Sequence, residues 1–328
     1  MSWTFSCFVL SLLFLISPVS QADQIEGSFS PTCANCETES QGNAPVQLPL
    51  KYQAAALREV LNKSIKCDDK SSEDCLLVEW LKAKFQEFSK NCQGFFINQN
   101  GEVGSFSNVI SNLILSDIET HEENSVFVKS IADFDKYCPR YKDFSLMQKV
   151  AFHGWIFELT AFPESSCDVK VKPNKMAPTT PAVCMYQLEG PTSTRKWRSQ
   201  GFKPQRCAVS YKEILTMEGC TGCAFDEFQR KMKKDGTPFG VINAKGKLVS
   251  RSYWASQNPL SEAALQCFEK YSSGKISALR RKYLKECKSM GANNEWPARA
   301  KFFKRLPRFP LCGTKESEYE IQQMQKKR

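Results

Sequence analysis

Histidine is almost missing from this chain: among 328 residues only His121 and His153 carry an imidazole. A Ser-His-Asp or Cys-His relay has little to draw on, and so has a Cys/His zinc centre, since both use imidazole as base or ligand. His153 lies in an apolar run and reads as a core histidine rather than a base. Long apolar runs are scarce too. Beyond the block from Phe8 to Ile16 no stretch is long or apolar enough to cross a bilayer, so no membrane span is expected. Internal repeats are absent, which removes solenoids from consideration. No interleaving of aromatic and basic residues appears, which argues against nucleic acid as a partner.

The block from Phe8 to Ile16 is followed by Ser17-Pro18-Val19 and the small-x-small triplet Ser20-Gln21-Ala22. Residues 1–22 read as a secretory signal cleaved before Asp23, although no Lys or Arg precedes Lys51 and the usual basic start is missing. The expected compartment is periplasmic or extracellular. Cysteine usage agrees: of fifteen, Cys7 lies in the leader and the other fourteen make an even set, as expected where thiols are oxidised in pairs. Cys67/Cys75, Cys167/Cys184 and Cys267/Cys287 are close enough in the chain for local loops. The C-x-x-C pairs Cys33/Cys36 and Cys220/Cys223 have no histidine nearby and no βαβ context, so disulfides are expected there rather than a metal or a thioredoxin-like site. No cofactor is implied.

Charge divides unevenly. Up to residue 140 there are 11 Lys and Arg against 18 Asp and Glu, and beyond it 34 against 17. A basic half of an exported protein faces acidic wall polymers or phospholipid headgroups, or simply keeps the surface solvated. Residues 23–49 are polar, without helical or strand period, and read as a linker. Residues 50–140 form an acidic helical module: Lys51 to Ile65, Asp74 to Cys92, Asn108 to Ile118 and Ser125 to Tyr137 carry apolar residues at helical spacing. An Asn-Gly between Phe95 and Val103 predicts a small hairpin. Cys138-Pro139 marks the expected boundary. Residues 141–312 then make a basic domain with helices at Ala224 to Lys234, Ser261 to Tyr271 and Ile276 to Met290, and a hairpin from Phe239 to Val249. Residues 313–328 are expected to fray.

The central stretch is Val150 to Leu188. A helix apolar nearly all round, through Trp155, Ile156, Phe157 and Leu159, delivers one carboxylate, Glu164, at its end. A loop then leads to a short apolar segment holding one amide, Gln187. A carboxyl at the end of a buried helix can stay protonated near neutral pH and give its proton to a leaving oxygen.

Read together, Glu164-Ser165 and Pro181-Ala182-Val183-Cys184-Met185-Tyr186-Gln187-Leu188 resemble the E-S and G-A-V-G-L-M-Q-L blocks of the lysozyme-like lytic transglycosylases. The resemblance covers Val150 to Leu188 well and reaches loosely to Tyr271. It implies a mainly α, lysozyme-like fold with a small β hairpin, and cleavage of the β-1,4 bond between N-acetylmuramic acid and N-acetylglucosamine in peptidoglycan. Glu164 would be the lone catalytic acid and base, Gln187 and Tyr186 substrate contacts, and Ser165 their support. The family's A-Y-N-A-G block has its nearest counterpart at Tyr253-Trp254-Ala255-Ser256-Gln257-Asn258, with Tyr253 as a cleft residue. Cys184 stands where the family has its second Gly, and Pro163 precedes the acid. A bridge between Cys167 and Cys184 would clamp the two site elements together; a bridge from either to Cys207 is the alternative. Asp168, four residues after Glu164, would face it on a continuous helix and make a two-carboxylate hydrolase, or else cap the helix end. The rival from another class is a wall-binding or scaffolding protein whose lysozyme-like cleft has decayed.

Overall fold

The computed structural model describes residues 48–67, 71–129, 131–170, 182–189, 209–243, 248–250, 252, 254–261, 263–264, 266–267 and 296–326. The signal, residues 23–47 of the linker, Tyr253, Cys207 and most of the helices expected between 261 and 290 lie outside them. Of the described part, 66% is helical and 4% is strand, so the chain is mainly α. The helices are α1 (Leu50–Leu61), α2 (Glu73–Glu87), α3 (Ser105–His121), α4 (Ala132–Tyr137), α5 (Leu146–Ser165), α6 (Tyr211–Ile214), α7 (Met217–Asp235), α8 (Trp296–Arg305) and α9 (Lys315–Lys326). Two antiparallel hairpins complete it: β1 (Ala182–Val183) with β2 (Leu188–Glu189), and β3 (Val241–Ile242) with β4 (Leu248–Ser250).

Helix α5 is the hub. Ser145 starts it with a capping box, its hydroxyl accepting from the Gln148 N–H while the Gln148 side chain accepts from the Ser145 N–H. From Phe152 to Ala161 every residue is buried. Helices α1, α2, α3 and α8 and the 3-10 turns Lys90–Phe95, Ala255–Gln257 and Leu306–Arg308 all pack on it. A helix covered this way needs no polar stripe, which is why its sequence shows none. Each Phe or Leu it buries contributes roughly 1.5–3 kcal/mol. His153 is one of these core residues: its Nε2 lies 3.0 Å from the Tyr141 hydroxyl, and burial pushes its pKa down to about 3, so it stays neutral.

One apolar core runs from Ala54 on α1 to Met324 on α9. The boundary expected at Cys138-Pro139 does not divide this core. The α3 stripe of Phe106, Ile110, Ile114 and Ile118 is covered by α5 and α7 from beyond that point as well as by α1. Disulfides Cys92–Cys167 and Cys138–Cys312 join the acidic segment to the basic one. The C-terminal stretch expected to fray is helix α9. A Thr314/Ser317 cap starts it, Lys84 on α2 holds Glu320 at 2.7 Å, and Met324 is buried.

The Asn-Gly loop forms as expected, with Ile97 bridging Val103. Gly101 there has φ 84°, and a Cβ on it would meet the Ile65 carbonyl oxygen at 2.4 Å, so only glycine fits. Cys67 and Cys75, expected as a local loop, are both thiols. Burial, and then a hydrogen bond with Cys75, push the Cys67 thiol up to about 12, so it keeps its proton.

Candidate functional site

Glu164 is the penultimate residue of α5 and is half-buried. Pro163 before it removes one donor from the helical ladder without ending the helix. Ser166 and Cys167, at φ 56° and 61°, then turn the chain left-handed and stop it. Asp168 therefore sits beyond the helix, its Oδ1 accepting the Lys170 N–H at 2.9 Å. The facing of Asp168 and Glu164 that a continuous helix would give is lost.

The second element is the hairpin β1–β2, with Ala182 opposite Glu189 and Val183 opposite Leu188. Its turn is Cys184 to Gln187, closed by the Gln187 N–H donating to the Cys184 carbonyl at 3.1 Å. Both turn ends are left-handed, Cys184 at φ 57° and Gln187 at φ 48°. That conformation costs an ordinary residue roughly 1 kcal/mol and costs glycine nothing. The position where the resembled family has glycine is thus the position where this chain bends left-handed, here carried by a cysteine.

Ser165 joins the two elements: its hydroxyl donates to the Met185 carbonyl at 2.8 Å and also reaches the Ala161 carbonyl at 3.3 Å. Gln187 is half-buried, and its side-chain Nε2 donates back to the Cys184 carbonyl at 3.1 Å. Tyr186, expected as a substrate contact, is corrected to a core residue. It is 0% exposed, packed against Phe157 and Trp254, and holds the hairpin down on α5.

The third element is the stretch 254–258, which sequence reasoning nominates for Tyr253 alone. The Trp254 indole donates to the Tyr186 carbonyl at 2.8 Å, and Gln257 Nε2 to Thr160 Oγ1 at 2.9 Å. Arg299 on α8 donates to the carbonyls of Asn258 and Pro259 at 2.7 and 2.6 Å. Ser256, fixed between these anchors, points its Oγ at Glu164 Oε1, 3.5 Å away. Sequence reasoning misses Ser256 and Gln257 as site residues. Their signal is their place inside the same six-residue block as Tyr253.

The expected Cys167–Cys184 clamp is absent. Cys167 pairs with Cys92 and Cys184 with Cys220, because the turn after α5 carries Cys167 toward the Lys90–Phe95 segment while the hairpin turn reaches α7. Each site element is thereby tied to the scaffold rather than to the other. Cys223 is disulfide-bonded as well, so neither sulfur of that C-x-x-C is open to a metal. Among the described residues one group could by spacing hold a metal, Cys92, Glu158 and Cys167, and its two sulfurs are joined to each other.

A second acid escapes the sequence reading. Glu158, six residues before Glu164 on α5, is 0% exposed and neither carboxyl oxygen has a hydrogen-bond partner. Burial pushes its pKa up to about 8, against a smaller opposing pull from Arg305 and Lys84. A Glu between Phe157 and Leu159, within the apolar run Trp155 to Leu159, is the signal that could have found it. It lies too deep to meet a polymer.

Among the described residues no helix is long and apolar enough to cross a membrane. No protein-family model, curated protein or solved structure matches this chain.

Proposed function

We propose that this chain is an exported, disulfide-bonded enzyme that cleaves peptidoglycan as a lytic transglycosylase, with Glu164 as its acid and then its base. The observation that carries the reading is the meeting of three separate sequence blocks around the end of α5, where Glu164 stands. Ser165 ties the end of α5 to the hairpin turn, Trp254 ties the 254–258 stretch to the same hairpin, and Ser256 reaches Glu164. These are the stretches that resemble the family's E-S, G-A-V-G-L-M-Q-L and A-Y-N-A-G blocks.

In the proposed reaction Glu164 gives its proton to the glycosidic oxygen as the bond to N-acetylglucosamine breaks. The 2-acetamido oxygen of the N-acetylmuramic acid supports the anomeric carbon from the other face. The Glu164 carboxylate then takes the proton of the C6 hydroxyl, whose oxygen closes the 1,6-anhydro ring and displaces the acetamido oxygen. One protein carboxyl serves both steps, in contrast to the paired-carboxylate scheme, and no cofactor takes part. The basic residues beyond position 140 would face the acidic peptide stems or anionic wall polymers.

One observation favours a rival. The Gln187 amide is turned onto its own hairpin, as in a cleft that has lost its catalytic role and only holds the wall. Digestion of purified sacculi, read by mass spectrometry, separates the two. Release of anhydro-muropeptides that falls by roughly 10²–10⁴-fold in Glu164→Gln is expected. Reducing-end products would make it a hydrolase, and retained sacculus binding without any release would make it a wall-binding protein.

A further inference from the structure

A groove of about 490 Å³ opens on the side of α5 away from Glu164, lined by Trp80, Phe88, Trp155 and Phe162 and by the charged residues Lys84, Arg305 and Arg308. Phe162 and Glu164 are two residues apart, roughly 200° around a helix, so this groove and the candidate site do not share a face. Its volume lies in the range of small-molecule sites.

Arg305, the last residue of α8, is the feature that gives the groove a chemistry. Its guanidinium carbon lies 5.2 Å from the centre of the Phe88 ring and 5.1 Å from that of Phe162. The two rings stand nearly perpendicular, 84° apart with centroids 5.9 Å from each other, and neither offers an oxygen or nitrogen acceptor to the guanidinium's five N–H donors. Among the described residues no acceptor meets them. The neighbouring cations are committed: Lys84 is held at 2.7 Å by both Glu87 and Glu320, and Arg308 lies 3.4 Å from Glu320. Glu158, beneath the floor, makes no hydrogen bond to Arg305. Three cations against two rim carboxylates leave one positive charge over, and it rests on the one guanidinium already immobilised.

We infer that this groove is a binding site for a monocarboxylate on an apolar body, with Arg305 as the fork that receives the carboxylate. A fixed, planar guanidinium suits a bidentate carboxylate. A dianion such as phosphate would meet repulsion from Glu87 and Glu320, whereas a single charge matches the surplus. The aromatic walls take the apolar body, and because they hold Arg305 in place the ligand need not immobilise it. The inference does not depend on the glycan-cleaving reading.

Titration of the full chain with 4-phenylbutyrate, followed by tryptophan fluorescence since Trp80 and Trp155 line the groove, tests it. Saturable binding is expected, with the neutral 4-phenylbutyramide bound at least about tenfold more weakly and inorganic phosphate not competing. Arg305→Gln should weaken the carboxylate by about tenfold or more and leave the amide unchanged, and Arg305→Lys should fall between them. Equal affinity for acid and amide, displacement by phosphate, the absence of any saturable response, or full affinity in a folded Arg305→Gln protein overturns the inference. The acid-against-amide comparison uses the unmutated protein, so a variant that fails to fold does not blunt it.

Discussion

Two carboxyls on one helix have opposite fates. Glu164 stands at the helix end, half-buried and within reach of Ser256, whereas Glu158 is sealed in the core without a hydrogen bond. Glu158 makes stability depend on pH. Its folded pKa of about 8 is raised above the ordinary 4.5, so the folded protein holds a proton that the unfolded chain releases between those values. The stability this contributes is complete below about pH 4.5 and is lost as pH rises through 8. Glu158→Gln keeps the shape without the charge. Its melting temperature should match the parent at pH 5 and exceed it at pH 9, by the equivalent of on the order of 4 kcal/mol. Thermal melts of both proteins across that range check this, and parallel slopes would refute it. The reading of Glu164 comes from a motif and that of His153 from its apolar setting, and His153 is indeed a buried, neutral core residue. Glu158 escapes such reading because a glutamate in a helix is taken as solvated until its neighbours are known to cover it on every side.

At the scale of elements, helices are legible in the sequence and turns are not. Regular spacing marks α1, α2 and α3, an unbroken apolar run marks α5, and the Asn-Gly pair marks its own turn. The hairpin β1–β2 carries no such mark. Its turn, Cys184-Met185-Tyr186-Gln187, contains no Gly, Asn, Asp or Pro, yet both ends adopt positive φ. Tertiary ties impose that geometry: Cys184 to Cys220, Trp254 to the Tyr186 carbonyl, Ser165 to the Met185 carbonyl. These contacts join residues far apart in sequence, so no local pattern announces them. A pair of double variants tests the strain. Cys184→Gly with Cys220→Ala and Cys184→Ala with Cys220→Ala both lose the bridge, but the glycine version should be the more stable, by about 1 kcal/mol in urea denaturation. Equal stabilities would mean that the turn relaxes once the bridge is gone.

Over the whole molecule, the charge contrast at residue 140 suggests a domain boundary, but packing crosses it. Surface charge is free to differ between segments that share a core, since it reports on solvent and partners rather than on burial. The pairing of cysteines is equally out of reach of the sequence, because Cys138 and Cys312 are 174 residues apart and meet only through the fold. That bridge closes the longest of the described disulfide loops. Cys138→Ala with Cys312→Ala should cost about 4–5 kcal/mol in the chain-entropy account, read as a fall in the urea midpoint. A loss below about 1 kcal/mol would show that the α8–α9 end is held by packing alone, through Lys84–Glu320 and buried Met324.

The closure of Cys138 on Cys312 also sets a schedule. A nascent chain cannot close this bridge until Cys312 has emerged, 174 residues after Cys138, and cannot lock it before it meets an oxidant. The hairpin that carries Gln187 likewise waits for Cys220 on α7, which is made later than the hairpin itself. On the proposed function, a catalyst assembled this way would gain its full stability only after its synthesis and outside any reducing interior. If the chain is exported as proposed, its competence would be conferred by arrival, and the cell that makes it would be spared its activity until then.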